Sequence, residues 1–278
     1  MNAAYRLETI IKVDESLCIG CGACIRTCPG ALITKEKFPV PTANSWDLCI
    51  DCGHCVSVCP TGALRQRAMG PEDCTLLDNH LVPRAEEVRQ FLMSRRSTRV
   101  YVNKPVEKEK VERVLDVARF APHGANRQVV HWVVINDPVK VRRAAEMTID
   151  WMRAARDANP ALFHEAKLGL FVDAWDAGQD QICRGAPCVI QAWAPKGERT
   201  APQGCTLALC YAQLAAHSMG LGSSWSGGIN TAAQAHRPLM ETLGLTEGTV
   251  SYGTILLGYP AETFLRIPVR KPLNVTWI

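Results

Sequence analysis

Apolar and polar positions divide the chain into stretches of different character. From Val88 onward the first period is helical: Val88, Phe91 and Leu92 stand at i, i+3 and i+4. After Pro105, residues Val111, Val114, Leu115 and Ala118 stand at i, i+3, i+4 and i+7, and Ala121-Pro122 stops that helix. Short β-rich runs then alternate with longer helical ones. The runs 129–135, 188–194 and 253–259 read as strands, and 139–156 and 204–219 read as helices. Upstream, the stretch 70–83 shows no sustained period, opens with Gly-Pro and closes on Pro83, so it reads as a linker. This pattern predicts an α+β chain with an N-terminal domain over 1–70, a linker over 71–84 and a larger domain over 85–278.

Composition narrows the class. Of 278 residues, 47% are hydrophobic and 21% charged, which is enough apolar material for a sizeable core and unlike a disordered or collagen-like chain. A net charge of +4 is too mild to argue for nucleic acid or an anionic membrane surface. No apolar run approaches the ~20 residues that span a bilayer. The start, Met1 to Lys12, lacks a charged segment followed by an apolar one, so a cytoplasmic location is expected. Charge is also unevenly divided. Residues 1–83 carry seven basic and nine acidic side chains, against 24 and 18 in the remainder.

Thirteen cysteines change the picture, because eight of them fall between Cys18 and Cys59 in two copies of C-x2-C-x2-C-x3-C-P. The first is Cys18, Cys21, Cys24 and Cys28, then Pro29. The second is Cys49, Cys52, Cys55 and Cys59, then Pro60. The flanks repeat as well: Pro-Gly-Ala-Leu at 29–32 echoes Pro-Thr-Gly-Ala-Leu at 60–64. Three thiolates in so tight a loop suit three irons of one cubane, and the fourth, carried past the loop, reaches the other cluster. That assigns Cys18, Cys21, Cys24 and Cys59 to one [4Fe–4S] cluster and Cys49, Cys52, Cys55 and Cys28 to the other. Disulfides are disfavoured by the absence of a secretory context and by the spacing. Structural zinc would not need the third cysteine of each loop. Residues 1–70 resemble a bacterial two-cluster ferredoxin. The five remaining cysteines, Cys74, Cys183, Cys188, Cys205 and Cys210, have no ligand spacing and read as small buried hydrophobes.

The second domain carries no G-x-G-x-x-G after a strand and no P-loop. It carries instead Arg95-Arg96-Ser97-Thr98-Arg99, then Ala121-Pro-His-Gly-Ala-Asn-Arg-Gln128, then Gly220-Leu-Gly-Ser-Ser-Trp-Ser-Gly-Gly228, then Ile267-Pro-Val-Arg-Lys-Pro272. In this order and at these separations the segments resemble the FMN-dependent nitroreductase family. The resemblance implies an α+β sandwich with a central, mostly antiparallel sheet flanked by helices. It also implies that Arg95, Arg96 and Ser97 hold the phosphate and ribityl end of FMN. Arg99 would lie near flavin N1 and the C2 carbonyl, where a cation stabilises the charge gained on reduction. Pro122, His123, Gly124, Asn126 and Gln128 match a loop offered to the flavin of a second subunit. Ser226, Gly227 and Gly228 match a turn whose backbone approaches flavin N5, and Arg270 and Lys271 match a basic pair that completes the phosphate site. Family members are homodimers with FMN at the interface, so a homodimer is expected. His123 is the one candidate proton donor. The chain departs from the family where Val129-Val130 follows Gln128 in place of Pro-Trp, and where His123 and Gly124 replace small hydroxyl residues.

Joined, the two halves predict an oxidoreductase. Electrons would pass from a low-potential donor such as a ferredoxin through two clusters to FMN and on to a small organic acceptor. Two alternatives stand beside it. NAD(P)H reduces FMN and electrons leave through the clusters, or the protein is an electron carrier or redox sensor without its own substrate.

Overall fold

The computed structural model describes residues 8–278, which form two compact units. The first comprises the chain up to Pro83 together with Ala125–Arg127, and the second Arg84–Gly124 and Gln128–Ile278.

The first unit has little regular structure. Strand β1 (Ile11–Val13) pairs antiparallel with β4 (Leu64–Gln66), and β2 (Ile33–Lys35) pairs antiparallel with β3 (Pro39–Pro41). Ile11 faces Gln66 and Val13 faces Leu64, so the pairing joins the start of the unit to the end of the duplicated block. Three one-turn helices stand between: α1 (Ala23–Thr27), α2 (Ser45–Leu48) and α3 (His54–Ser57). Helices α1 and α3 each begin after a left-handed glycine, Gly22 at φ 69° and Gly53 at φ 71°, placed alike in the two cysteine loops. The core is small: Ile10, Ile11, Leu32, Ile33, Val56 and Leu64 pack with Cys24 and Cys55.

In the second unit, helices α4 (Ala85–Ser94) and α5 (Lys108–Ala118) come first, then β5 (His131–Ile135). The long α6 (Pro138–Ala158) starts on Asp137, whose carboxylate accepts the amides of Val139 and Lys140 with Pro138 behind it, a regular N-cap. Helices α7 (Pro160–Glu165) and α8 (Leu168–Asp176) follow, then β6 (Cys188–Pro195), α9 (Ala201–Ser218), β7 (Gly222–Trp225), α10 (Gly227–Ala235), α11 (Arg237–Thr242) and β8 (Thr249–Gly258). The sheet is antiparallel throughout, in the order β5-β6-β8-β7. Strand β6 is buried on both faces. Cys188, Ile190, Ala192 and Ala194 pack with α5 and α9, while Val189 packs with α6 and α10. Small residues on α9 (Gly204, Cys205, Ala208, Ala212) let that helix sit close to the sheet.

Strands β5 and β6 and helices α5, α6 and α9 lie within a few residues of their sequence expectations. Strand β8 begins earlier than predicted, at Thr249, and helices α7, α8 and strand β7 had no periodic signal. The last five cysteines divide: Cys183, Cys188 and Cys205 are buried as expected, whereas Cys74 is half-buried and Cys210 is exposed on α9. Among the described residues no helix is long and apolar enough to cross a membrane.

Candidate functional site

In the first unit a cavity is lined by Cys18, Cys21, Cys24 and Cys59, with Gly20, Gly22 and Pro60 on its walls. The three cysteines of the first loop thus meet the trailing cysteine of the second. The other four gather likewise. Burial pushes the Cys55 thiol up to about 12, and the neighbouring thiols of Cys52, Cys49 and Cys28 push in the same direction. Burial likewise raises Cys24, with Cys59 and Cys21 adding to it. Thiols this costly to ionise alone are ionised readily once a cationic centre shares their charge. Cys59 shows the opposite balance. Burial works upward on it, but the amides of Thr61, Leu64 and Ala63 and the Thr61 hydroxyl together hold it below the usual thiol value. Among the described residues no three His, Cys, Asp or Glu side chains converge as a single metal ion requires. Four thiols gathered at each of two places fit cubane clusters.

The second loop has a polar support of its own. Gln66, almost fully buried, directs Nε2 at the Cys49 sulfur (3.6 Å) and at the Asp51 carboxylate, while its Oε1 accepts the Ala68 amide at 2.7 Å. Arg67 donates to Asp51 (2.8 Å) and to the carbonyls of Cys49 (3.0 Å) and Trp46 (2.6 Å). Burial of Asp51 works upward, yet Arg67 and Gln66 outweigh it and hold the carboxyl below the ordinary carboxylate value. Asn126, which belongs to this unit, donates to the carbonyls of Ile50 (3.1 Å) and Asp51 (3.0 Å). Its backbone and that of Ala125 are left-handed, at φ 53° and 49°.

In the second unit the 95–99 segment runs beside β7. The Thr98 amide donates to the Ser223 carbonyl at 3.0 Å, and Ser97 and Ser223 form a parallel bridge. Tyr101 fixes the same segment, donating its hydroxyl to the Thr98 carbonyl at 3.0 Å, and burial pushes this phenol up to about 12. Two cavities result. One, of about 780 Å³, is lined by Ser97, Arg99, Ser224, Trp225, Ser226, Gly227 and Gly228, and also by Phe171, Gln181, Ile182 and Arg184. The other, of about 750 Å³, is lined by Arg95, Arg96, Thr98, His217 and Gly222 among others. Arg95 Nη1 is buried with no hydrogen-bond partner, an uncompensated donor suited to an anion such as a phosphate. At Gly227 a Cβ would meet nothing within 4 Å, so the backbone there is open to close approach. The residues fit FMN.

Trp225 is fixed from behind. Its indole N–H donates to Gln213 Oε1 at 3.0 Å, and Gln213 in turn donates to Ser223 Oγ at 3.2 Å. His123 lines neither cavity. Its Nδ1 lies 2.8 Å from the Ala121 carbonyl, which only accepts, so Nδ1 carries the proton and the buried, unpartnered Nε2 is an acceptor in the neutral ring. Neutral His123 thus offers no proton at Nε2. The ring also packs on α9, where a Cβ at Gly204 would come within 2.7 Å of it. Pro122, Gly124 and Gln128 line neither cavity, and Asn126 sits at the second cysteine loop. Arg270 and Lys271 are exposed on the irregular C-terminal segment and also line neither. Sequence reasoning missed Phe171, Gln181 and Arg184. The only signal near them is the turn composition of Asp180, Gly185 and Pro187 ahead of a strand.

Fold and cavities together define a flavin-binding α+β oxidoreductase joined to an iron–sulfur domain. The nitroreductase family model matches residues 92–259 and the 4Fe-4S dicluster domain model matches residues 17–64. The chain belongs to the nitroreductase family. It is an FMN-dependent oxidoreductase carrying a 4Fe-4S ferredoxin domain. An Archaeoglobus fulgidus protein provisionally named an NADH dehydrogenase/NAD(P)H nitroreductase is 27% identical over 179 residues, covering 64% of this chain and 87% of that one. The FMN reductase [NAD(P)H] of Bacillus subtilis is 26% identical over 190 residues, covering 66% and 69%. A Bacteroides fragilis nitroreductase with bound FMN shares the fold at a TM-score of 0.56 and 23% identity, over 69% of this chain and 98% of that one.

Proposed function

We propose that this oxidoreductase takes electrons from an external low-potential donor such as a ferredoxin through two [4Fe–4S] clusters to FMN, and delivers them to a small organic acceptor. Nitroaromatics, quinones and activated alkenes all suit such an enzyme. The observation that carries this reading is the joining of Cys59 to the Cys18–Cys21–Cys24 cavity in a chain that also holds the Ser97–Gly228 cavity. When bound, the clusters exchange single electrons and FMN one or two, so the pair converts single-electron supply into two-electron chemistry.

The roles fall to named residues. Cys18, Cys21, Cys24 and Cys59 hold one cluster, and Cys49, Cys52, Cys55 and Cys28 the other. Arg95, Arg96 and Ser97 hold the phosphate and ribityl end of FMN. Arg99 places positive charge at the pyrimidine edge, and Ser226, Gly227 and Gly228 offer backbone to the ring. Pro122, His123, Gly124 and Gln128 serve the flavin of a second copy, and Arg270 and Lys271 complete the phosphate site. The exposed apolar side chains of the C-terminal segment, Leu265, Val269, Leu273 and Trp277, support this homodimer, since they lack cover within the chain.

A second reading reverses the current, with NAD(P)H reducing FMN and the clusters acting as outlet; the names of the A. fulgidus and B. subtilis relatives, both of which include NAD(P)H, favour it. Mixing the anaerobic holo-protein with NADH, NADPH or a reduced ferredoxin, and following flavin bleaching, separates the two. Bleaching by ferredoxin alone, lost in Cys21→Ser/Cys52→Ser, is expected. Rapid bleaching by a nicotinamide, with none by ferredoxin, would overturn the proposal.

A further inference from the structure

We infer that the acceptor is a planar organic anion and that Arg184 selects it. This rests on reading the Ser97–Gly228 cavity as the flavin site. Two guanidinium groups, Arg99 and Arg184, line that cavity, and no carboxylate lines it. Neither arginine makes an ion pair or a side-chain hydrogen bond to another described residue, although ion pairs are common elsewhere on the surface. Arg99 is exposed and has water to answer it, whereas Arg184 is half-buried beside a cavity whose lining holds no carboxylate, so its charge calls for anionic density from outside the chain. The family resemblance gives Arg99 to the flavin pyrimidine edge. The phosphate has its own arginines in the other cavity, where Arg95 Nη1 is buried and unpartnered. Arg184 is the cation left over.

Arg184 is also held at some cost. Its backbone is left-handed at φ 57°, a conformation that disfavours a long side chain by about 1 kcal/mol. Asp180 imposes this turn, its Oδ1 accepting the amides of Ile182 (2.9 Å) and Cys183 (2.8 Å) and its Oδ2 that of Gly185 (3.4 Å). Ser226 Oγ then donates to the Ile182 carbonyl at 3.3 Å, tying the turn to the Ser226–Gly228 backbone. The backbone turn that carries Arg184 is thus held on both sides. Phe171 and Trp225 line the same cavity, and the indole of Trp225 is fixed by Gln213. A cavity lined by a cation and two aromatic side chains suits an aromatic or conjugated ring bearing a carboxylate.

The test uses redox-inert probes on the anaerobic, FMN-loaded full chain: benzoate against its neutral isostere benzamide, by isothermal titration and flavin difference spectra. Benzoate should bind at least about tenfold tighter, the ratio a charge-assisted hydrogen bond supplies. Arg184→Gln should lower the benzoate-to-benzamide affinity ratio about tenfold, with FMN retained, and Arg184→Lys should recover part of it. Arg119→Gln, which removes a distant surface cation, should leave the ratio unchanged. Equal affinity of the two probes in the wild type overturns the proposal without any variant, and so does an unchanged ratio in Arg184→Gln. Loss of FMN from Arg184→Gln at wild-type thermal stability also overturns it, making Arg184 a cofactor ligand. No electron donor enters these measurements. A failure of ferredoxin-driven reduction with benzoate selectivity intact would therefore sink the electron route alone.

Discussion

Gly253 lies in mid-β8 opposite Ala192, where the β6–β8 register shifts between Ala192 and Trp193. A Cβ there would stand 2.5 Å from Leu209 Cδ1 and 2.5 Å from Trp225 Cζ3. Ordinary carbon contacts lie near 3.5–4.0 Å, so Gly253→Ala falls short by about 1 Å on both sides. Leu209 is fully buried in α9 and has nowhere to go. Trp225 is 46% exposed, so the indole is the group that yields. Moving it by about 1 Å breaks its 3.0 Å bond to Gln213. Overpacking costs about 1–3 kcal/mol and the lost hydrogen bond about 1 more, for about 2–4 kcal/mol. In a unit of this size that lowers the melting temperature by about 4–16 °C. Thermal unfolding of the holo-protein measures it, and a double-mutant cycle with Trp225→Ala assigns it. Gly253→Ala should cost at least about 1 kcal/mol less once the indole is gone. Equal cost in both backgrounds would refute the argument that the indole yields and that it is held by packing from behind.

Two further predictions concern the iron–sulfur unit. If Cys59 completes the Cys18–Cys21–Cys24 set, Cys59→Ser combined with Cys21→Ser should lose one cluster and keep about four of about eight irons, whereas Cys59→Ser with Cys52→Ser should lose both. Iron analysis and electron paramagnetic resonance of the anaerobically purified variants decide it, and loss of all iron from the first pair would sink the cross-over. Gln66→Leu removes a donor from the Cys49 sulfur, so the potential of the cluster held by Cys49 should fall while the other stays in place. A redox titration followed by electron paramagnetic resonance shows this, and equal shifts in both clusters would rule it out.

The parts of the molecule that were legible in sequence share a physical reason. Ligand spacing is a local geometric demand, so the eight cysteines announced their chemistry without any tertiary knowledge, and the structure brings Cys59 to the first loop's cavity. Helices α5, α6 and α9 each bury one side along the chain's own period, which the sequence displays directly. Strand β7 is Gly-Ser-Ser-Trp, with no apolar alternation; it pairs because β8 offers an edge and Thr98 takes up the Ser223 carbonyl, which are non-local facts. Arg184 was invisible for the same reason. Its importance lies in a cavity lining without a carboxylate, a property of the cavity and not of the residue's neighbours in sequence. Asn126 was assigned to a flavin loop by its motif, but its side-chain amide is engaged by two carbonyls of the Cys49–Cys52 loop, which the motif does not encode.

The crossed cysteine sets also bear on how the first unit comes to be folded. A core of six aliphatic side chains and two cysteines is small for independent stability. A cluster joining Cys24 to Cys59 closes a loop of roughly 35 residues and one joining Cys28 to Cys49 a loop of roughly 20, and on the scale of a disulfide each closure removes about 3–4 kcal/mol of unfolded-chain entropy. Because the cysteine sets cross over, with the 28–49 loop nested inside the 24–59 loop, neither half of the duplication completes its site from its own sequence. Loading with iron and sulfide is then coupled to folding of the whole unit, and a chain that has lost one cluster is expected to keep the other while the vacant cysteine set loosens and becomes the first place that proteolysis reaches.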